Sequence, residues 1–167
     1  MSEGDVVGQV YAGCFRRLVV QLYAVTGDLS EAQEAVQEAF IRAMAVPGRF
    51  ARLDNPEAWL RRVAINIARS RHRRRRTLDA LLRRTGPPPV VADPSPDHVV
   101  LMAALRRLPR GQRDALALHY LVDLPIEEVA AALGTTAGTI KSRLSRGRRA
   151  LAALLIEPAV AGSRNVG

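Results

Sequence analysis

Hydrophobic positions along this chain recur at steps of three and four, and no alternating strand pattern of useful length is present, so the chain reads as helical throughout. From Val10 to Thr26, Phe15, Leu18, Val19, Leu22 and Val25 line one face, and Gly27 closes the helix. Asp28-Leu29-Ser30-Glu31 has the form of a capping box, with Asp28 as cap and Glu31 reaching back. The second helix runs to about Ala45. It turns Ala32, Val36, Ala39, Phe40 and Ala43 inward and presents Glu34, Gln37, Glu38 and Ile41 on another side. Pro47 and Gly48 break it. Asn55-Pro56 is a cap followed by proline at the first helical position, so a third helix starts there with Trp59, Leu60, Val63 and Ile67 inside.

Leu124 to Arg149 reads as two further helices joined by a tight turn. Pro125 suits a helix start, Glu127 and Glu128 suit a first turn, and Ile126, Val129, Ala130 and Leu133 recur at helical spacing. Gly134 can take the left-handed conformation that stops a helix, and Thr135 or Thr136 can cap the next. There Ile140, Leu144, Gly147, Leu151 and Leu154 form one apolar, close-packing stripe. Lys141, Ser142, Ser145, Arg146 and Arg149 fall mainly on other faces. This is a helix-turn-helix whose second helix is basic enough to enter a DNA major groove.

The third helix carries a second basic signal. Arg62, Asn66, Arg69, Arg73 and Arg76 follow at steps of four, three, four and three, which stacks them in one outer stripe. The run Arg71-His72-Arg73-Arg74-Arg75-Arg76 repels itself and calls for an anionic partner.

Charge agrees with a nucleic-acid partner. There are 25 Lys+Arg against 16 Asp+Glu, a formal net charge of +9, and almost all the cations are Arg. The arginine fork matches phosphates and guanine edges with two parallel bonds. Aromatic residues are only 4% of the chain, so the cores must be built from Leu, Val, Ile and Ala. The single cysteine, Cys14, excludes an internal disulfide and a cysteine-rich metal site, and reads as a small buried residue. His72, His98 and His119 lie on different elements without zinc-ligand spacing, so neither a metal nor another cofactor is expected. No apolar run approaches the roughly 18 residues of a membrane span, and no signal peptide is read; a cytoplasmic protein without membrane insertion is expected.

The proline-rich stretch from Gly86 to Asp97 is the clearest boundary, since consecutive prolines hold an extended, semi-rigid spacer. The expected organisation is all-α, with two small helical domains at 6–84 and 98–155, a linker at 85–97 and a flexible tail at 156–167. Two basic helical surfaces on a semi-rigid tether suggest two DNA elements read at limited spacing.

These features together resemble bacterial RNA polymerase sigma factors of the sigma-70 family, extracytoplasmic-function (ECF, group 4) type, with an actinobacterial cast. The matching runs are LYAVTGDLSEAQEAVQEAFIRA from Leu22 to Ala43, Arg49-Phe50 and NPEAWLRRVAINIAR from Asn55 to Arg69. LRRLPRGQRDALALHY from Leu105 to Tyr120 and GTIKSRLSRGR from Gly138 to Arg148 complete them. The resemblance implies that Glu34, Gln37 and Glu38 dock on the clamp helices of the polymerase largest subunit. Aspartate is more usual in the family where Glu34 stands, a departure that keeps the charge. It implies that Arg62, Asn66, Arg69 and Arg73 meet the −10 promoter element, and that the 47–55 loop captures an unstacked base. It also implies that the recognition helix reads the −35 element through Thr139, Lys141, Ser142, Arg143, Ser145, Arg146 and Arg149. Of these, Arg143 and Arg149 suit phosphate contact or packing better than base reading.

The function expected is therefore a dissociable promoter-recognition subunit, not an enzyme, with core RNA polymerase, promoter DNA and an anti-sigma protein as partners. The alternative is a helix-turn-helix repressor or activator that binds duplex DNA without polymerase. Such a regulator would carry a ligand pocket or a dimerising helix, and neither is evident in the sequence. A DNA-processing enzyme would need clustered carboxylates for metal ions or a nucleophile with its base.

Overall fold

The computed structural model describes residues 2–82 and 95–162, with the backbone alone for Glu3, Gly4, Leu82 and 157–162. Among the described residues eight α-helices follow one another: α1 (Glu3–Thr26), α2 (Leu29–Ala45), α3 (Pro47–Phe50), α4 (Pro56–Leu82), α5 (Pro96–Arg107), α6 (Arg110–Leu116), α7 (Ile126–Leu133) and α8 (Ala137–Gly162). A π-helical turn, Ala117–Leu121, prolongs α6. No strand occurs among the described residues. Contacts divide the chain into two units, an N-terminal one that also takes in 131–134 and a C-terminal one, each with its own core.

In the N-terminal unit α1, α2 and α4 pack against one another. Gly27 closes α1 at φ 70°, a conformation in which any side chain would be strained. Asp28 Oδ1 then accepts the Glu31 N–H at 2.9 Å and starts α2. The expected inner face of α2 is buried in full, and Leu18, Leu22, Val36, Leu60 and Ile65 are sealed from solvent. The inner face of α4 is wider than the spacing predicts. Trp59 and Val63 are only half-buried, while Ala64, Ile65 and Ala68 are buried, because α4 has α1 on one side and α2 on the other. Trp59 meets Phe50 edge to face, with ring centroids 5.6 Å apart.

A polar tie fastens α1 to α4 inside this unit. Arg17 grips the Glu57 carboxylate with two donors, Nε to Oε1 at 2.8 Å and Nη2 to Oε2. Arg61, itself buried, donates from Nε to Gln21 Oε1 at 2.8 Å. The Arg17 bond holds the Glu57 carboxyl below the usual carboxylate range, against the opposing effect of burial. Cys14 lies buried nearby, and burial pushes its thiol up, reinforced by the Glu57 charge.

The C-terminal unit starts at Ser95, whose hydroxyl accepts the His98 N–H at 3.3 Å. Its core gathers Leu105, Leu116, Leu118, Val129, Ile140 and Leu144. Helix α8 crosses α6 closely at Gly147, where a Cβ would stand 3.0 Å from Leu116 Cδ1 and 3.3 Å from Gln112 Cβ.

Four boundaries differ from the sequence reading. Helix α1 begins at Glu3 rather than near Val10, because Asp5 Oδ2 accepts the Ser2 N–H at 2.9 Å and caps a first turn with little apolar periodicity. A short helix, α3, forms inside the segment expected to be loop, with Pro47 in its first turn. Helix α5 starts at Pro96, inside the stretch assigned to the linker, and the rest of that stretch to Pro94 lies outside the described residues. Helix α8 runs through Gly162, so the expected tail is helical as far as that residue; Ser163–Gly167 lie outside the described residues.

Candidate nucleic-acid interface

The basic stripe of α4 stands on the helix face away from the core. Arg62, Asn66, Arg73 and Arg76 are exposed and Arg69 is half-buried, while Leu60, Ala64, Ile67 and Ala68 on the opposite side are buried. The arginine run beyond it is partly neutralised from within. Arg71 donates from Nη1 to Glu34 Oε2 at 3.1 Å, and Arg75 Nη2 lies 3.2 Å from Glu31 Oε1. The anionic partner that the run calls for is thus supplied in part by α2. Arg73, Arg74 and Arg76 remain exposed.

The acidic and amide side of α2 holds Glu34 and Gln37 exposed and Glu38 half-buried. Glu38 accepts from Arg42 one turn later at 3.3 Å. Gln37 stands at the rim of an apolar groove of about 520 Å³ lined by Val7, Tyr11, Phe40, Ile41 and Met44. Ile41 and Met44 are more than half exposed, an apolar surface placed beside the polar one. Ile41 lies on this side as its spacing requires, whereas Met44 and the contribution of α1 have no signal in the α2 sequence.

The turn before the basic helix of the second unit forms as the residue types dictate. Gly134 takes φ 64° and ends α7. Thr136 Oγ1 then accepts the Thr139 N–H at 3.2 Å and lies 3.0 Å from Thr139 Oγ1, capping α8. Ile140, Leu144 and Gly147 are buried, and Lys141, Arg146 and Arg149 are exposed. Ser142 and Ser145 are half-buried beside them. Arg143 behaves differently. Its guanidinium lies against α6, with Nε 3.0 Å from where a Gly111 Cβ would stand, so it is placed for packing. Thr139 is half-buried and spends its hydroxyl on the cap.

Two basic helix faces, one in each unit, are thus mounted on separate cores. The family model described as Sigma-70 region 2 matches residues 10–77, and the one described as Sigma-70, region 4 matches residues 98–151. The curated ECF RNA polymerase sigma factor EcfG of Rhodopseudomonas palustris (strain TIE-1) is 35% identical over 136 residues, 79% of this chain and 75% of that protein.

The chain belongs to the sigma-70 family, in its ECF group.

Other relatives agree. SigE of Mycolicibacterium smegmatis is 33% identical over 144 residues, 77% of this chain and 53% of that protein, so this sigma factor spans about half of SigE. Among solved structures, the sigma factor RpoE from Bartonella quintana, crystallised with the anti-sigma factor NepR, superposes with a TM-score of 0.74 at 28% identity. That match covers 89% of this chain and 95% of RpoE. In this sigma factor the region 2 match runs from within α1 into α4, and the region 4 match from within α5 into α8. No helix among the described residues is long and apolar enough to cross a membrane. No cluster of three metal-ligating side chains occurs among them.

Proposed function

We propose that this sigma factor acts as a dissociable, non-catalytic subunit that docks on core RNA polymerase through α2 and reads two promoter elements, one with each unit. The division follows the expected domains, 6–84 and 98–155, joined by the proline-rich 85–97 segment. The single observation that carries the reading is the pair of exposed basic faces, Arg62, Asn66 and Arg73 on α4 and Lys141, Arg146 and Arg149 on α8, within the two stretches matched by regions 2 and 4.

On this reading Glu34, Gln37 and Glu38, together with the apolar groove at Ile41 and Met44, meet the clamp helices of the polymerase largest subunit. The α4 stripe, including Arg69, faces the −10 element, and the 47–55 segment accommodates an unstacked base. The α8 side chains Lys141, Ser142, Ser145 and Arg146 read the −35 element, with Thr139, Arg143 and Arg149 supporting or touching phosphates. An anti-sigma protein is the proposed antagonist, by analogy with the RpoE–NepR complex. The proposed compartment is the cytoplasm, where polymerase works.

Tagged protein should retain core polymerase through purification. Alone, it should bind matched and scrambled duplexes alike and lose both steeply with salt, as phosphate neutralisation requires. Tight, sequence-specific, salt-tolerant binding without polymerase would overturn the reading in favour of an autonomous regulator.

A further inference from the structure

Arg148 lies seven residues beyond Lys141 on α8, close to two full turns, so the two share one side of the helix about 10 Å apart along its axis. Arg148 is exposed, and its Nη1 donates to the Tyr120 hydroxyl at 2.8 Å. Tyr120 comes from the π-helical turn after α6, and its side of that turn is held by a chain of contacts. The Tyr120 ring stands edge to face on His119, with centroids 4.8 Å apart and planes at 72°. His119 Nδ1 is 2.8 Å from the Leu124 carbonyl oxygen, a contact in which the ring N–H donates. The turn itself is closed by Val122 N–H bonding back to Ala117 O at 3.1 Å, and Asp123 follows at φ 60°. The wider π turn inserts one residue relative to an α-helix, and such turns recur at functional sites.

The partner of Arg148 is a neutral phenol, not a carboxylate, so the bond orients the guanidinium without cancelling its charge. An arginine has five N–H donors in a rigid fork, and one bond to Tyr120 leaves donors for a second oxygen anion. Side-chain entropy is the main penalty for an exposed arginine gripping a phosphate, and a prior bond to a braced tyrosine removes part of it.

We propose that Tyr120 is a positioning residue that holds Arg148 ready to grip a DNA backbone phosphate on the Lys141 side of the recognition helix. This contact sets how α8 sits in the groove; it fixes register and does not itself read sequence. The proposal rests on the reading that α8 engages the −35 element.

Holoenzyme carrying the full chain is bound to a promoter duplex that it occupies in cells, with single phosphates ethylated in turn. Parent holoenzyme should show interference at a phosphate that R148A no longer senses, and the salt slope of R148A should be shallower by about one. Y120F, which removes only the hydroxyl, should weaken interference at that same phosphate and lower affinity by about threefold, and should add nothing to R148A. A Y120F variant with parental interference and affinity would overturn the proposal. So would variants that lose only thermal stability, since a purely structural tie predicts that outcome. Lys141→Ala with Arg146→Ala separates the two assignments. If that double variant also leaves −35 binding unchanged, the assignment of α8 fails; if it weakens binding while R148A and Y120F do not, the Tyr120–Arg148 inference alone fails.

Discussion

Arg71 of α4 donates to Glu34 of α2 across 3.1 Å, joining the helix that bears the basic stripe to the helix proposed to dock on polymerase. Glu34 keeps 60% of its side chain in solvent, and an exposed pair of this kind contributes at most about 1 kcal/mol. It is therefore cheap to exchange for a cation of a partner protein. Arg75 and Glu31 repeat the arrangement one turn along, with Glu31 much more enclosed.

Replacing Glu34, Gln37 and Glu38 together by alanine should weaken holoenzyme formation by at least about tenfold, because the proposed docking side of α2 loses both its charge and its amide. Helical content should be unchanged, since none of the three is part of the buried core. Titration of labelled protein with core polymerase, alongside circular dichroism, checks both. Parental affinity in the triple variant would show that polymerase docks elsewhere.

Much of this was legible in the sequence, for identifiable reasons. Gly27 and Gly134 could be placed as helix stops because a left-handed turn nearly demands glycine, and both take positive φ. The inner face of α2 was legible because its buried apolar positions recur at helical spacing. The inner face of α4 was legible only in part: Leu60 and Ile67 are buried as expected, but so are Ala64 and even Arg61, whose residue types do not mark them as core, and Ile65, which the expected stripe leaves out. The internal partners of Arg71 and Arg75 were equally hidden, because ion pairs between helices 37 and 44 residues apart leave no local spacing signal. For Arg143 the sequence leaves phosphate contact and packing both open, because the space that Gly111 opens for it against α6 has no local signal in the basic helix. The π turn that places Tyr120 beside Arg148 has no composition signature.

Acid should loosen region 2 through Glu57. Its folded-state carboxyl lies below the ordinary value of 4.5, chiefly through the Arg17 bond. A depressed folded value means the native state binds the proton less readily than the unfolded chain. The stabilisation is complete above pH 4.5 and is lost as pH falls through the lower folded value. Thermal melts should therefore fall with acidification more steeply in the parent than in Glu57→Gln, and the two curves should converge at the acid end. Parallel curves would show that the α1–α4 tie contributes nothing measurable.

Gly147 is the point where α8 approaches α6. Glycine costs a helix about 1 kcal/mol relative to alanine, so its presence mid-helix needs a packing reason, and the 3.0 Å approach of Leu116 provides one. Gly147→Leu should destabilise region 4 by about 1–3 kcal/mol, since Leu116 and Gln112 would have to move apart. Gly138, whose added Cβ would meet nothing within 4 Å, serves as the control, and Gly138→Ala should be neutral or stabilising. Urea unfolding of both variants checks the contrast; equal midpoints would remove close packing as the explanation.

The two basic faces should fail in different ways. Arg62 and Asn66 are exposed on α4, and changing both to alanine should impair promoter opening and discrimination at the −10 element. Lys141 and Arg146 are exposed on α8, and changing both should weaken −35 recognition while opening, once bound, proceeds. Removing a side chain that reads a base should relax discrimination by about 1–3 kcal/mol, whereas removing one that grips a phosphate lowers affinity uniformly. Transcription from promoters altered in one element at a time, with permanganate footprinting of the melted strand, separates these effects. A −10 substitution should cost the Arg62/Asn66 variant less than it costs the parent, because the interaction it would break is already gone. A −35 substitution should likewise cost the Lys141/Arg146 variant less. Identical profiles for the two double variants would mean that both faces serve one general attraction to phosphate, and the assignment of one promoter element to each unit would fall.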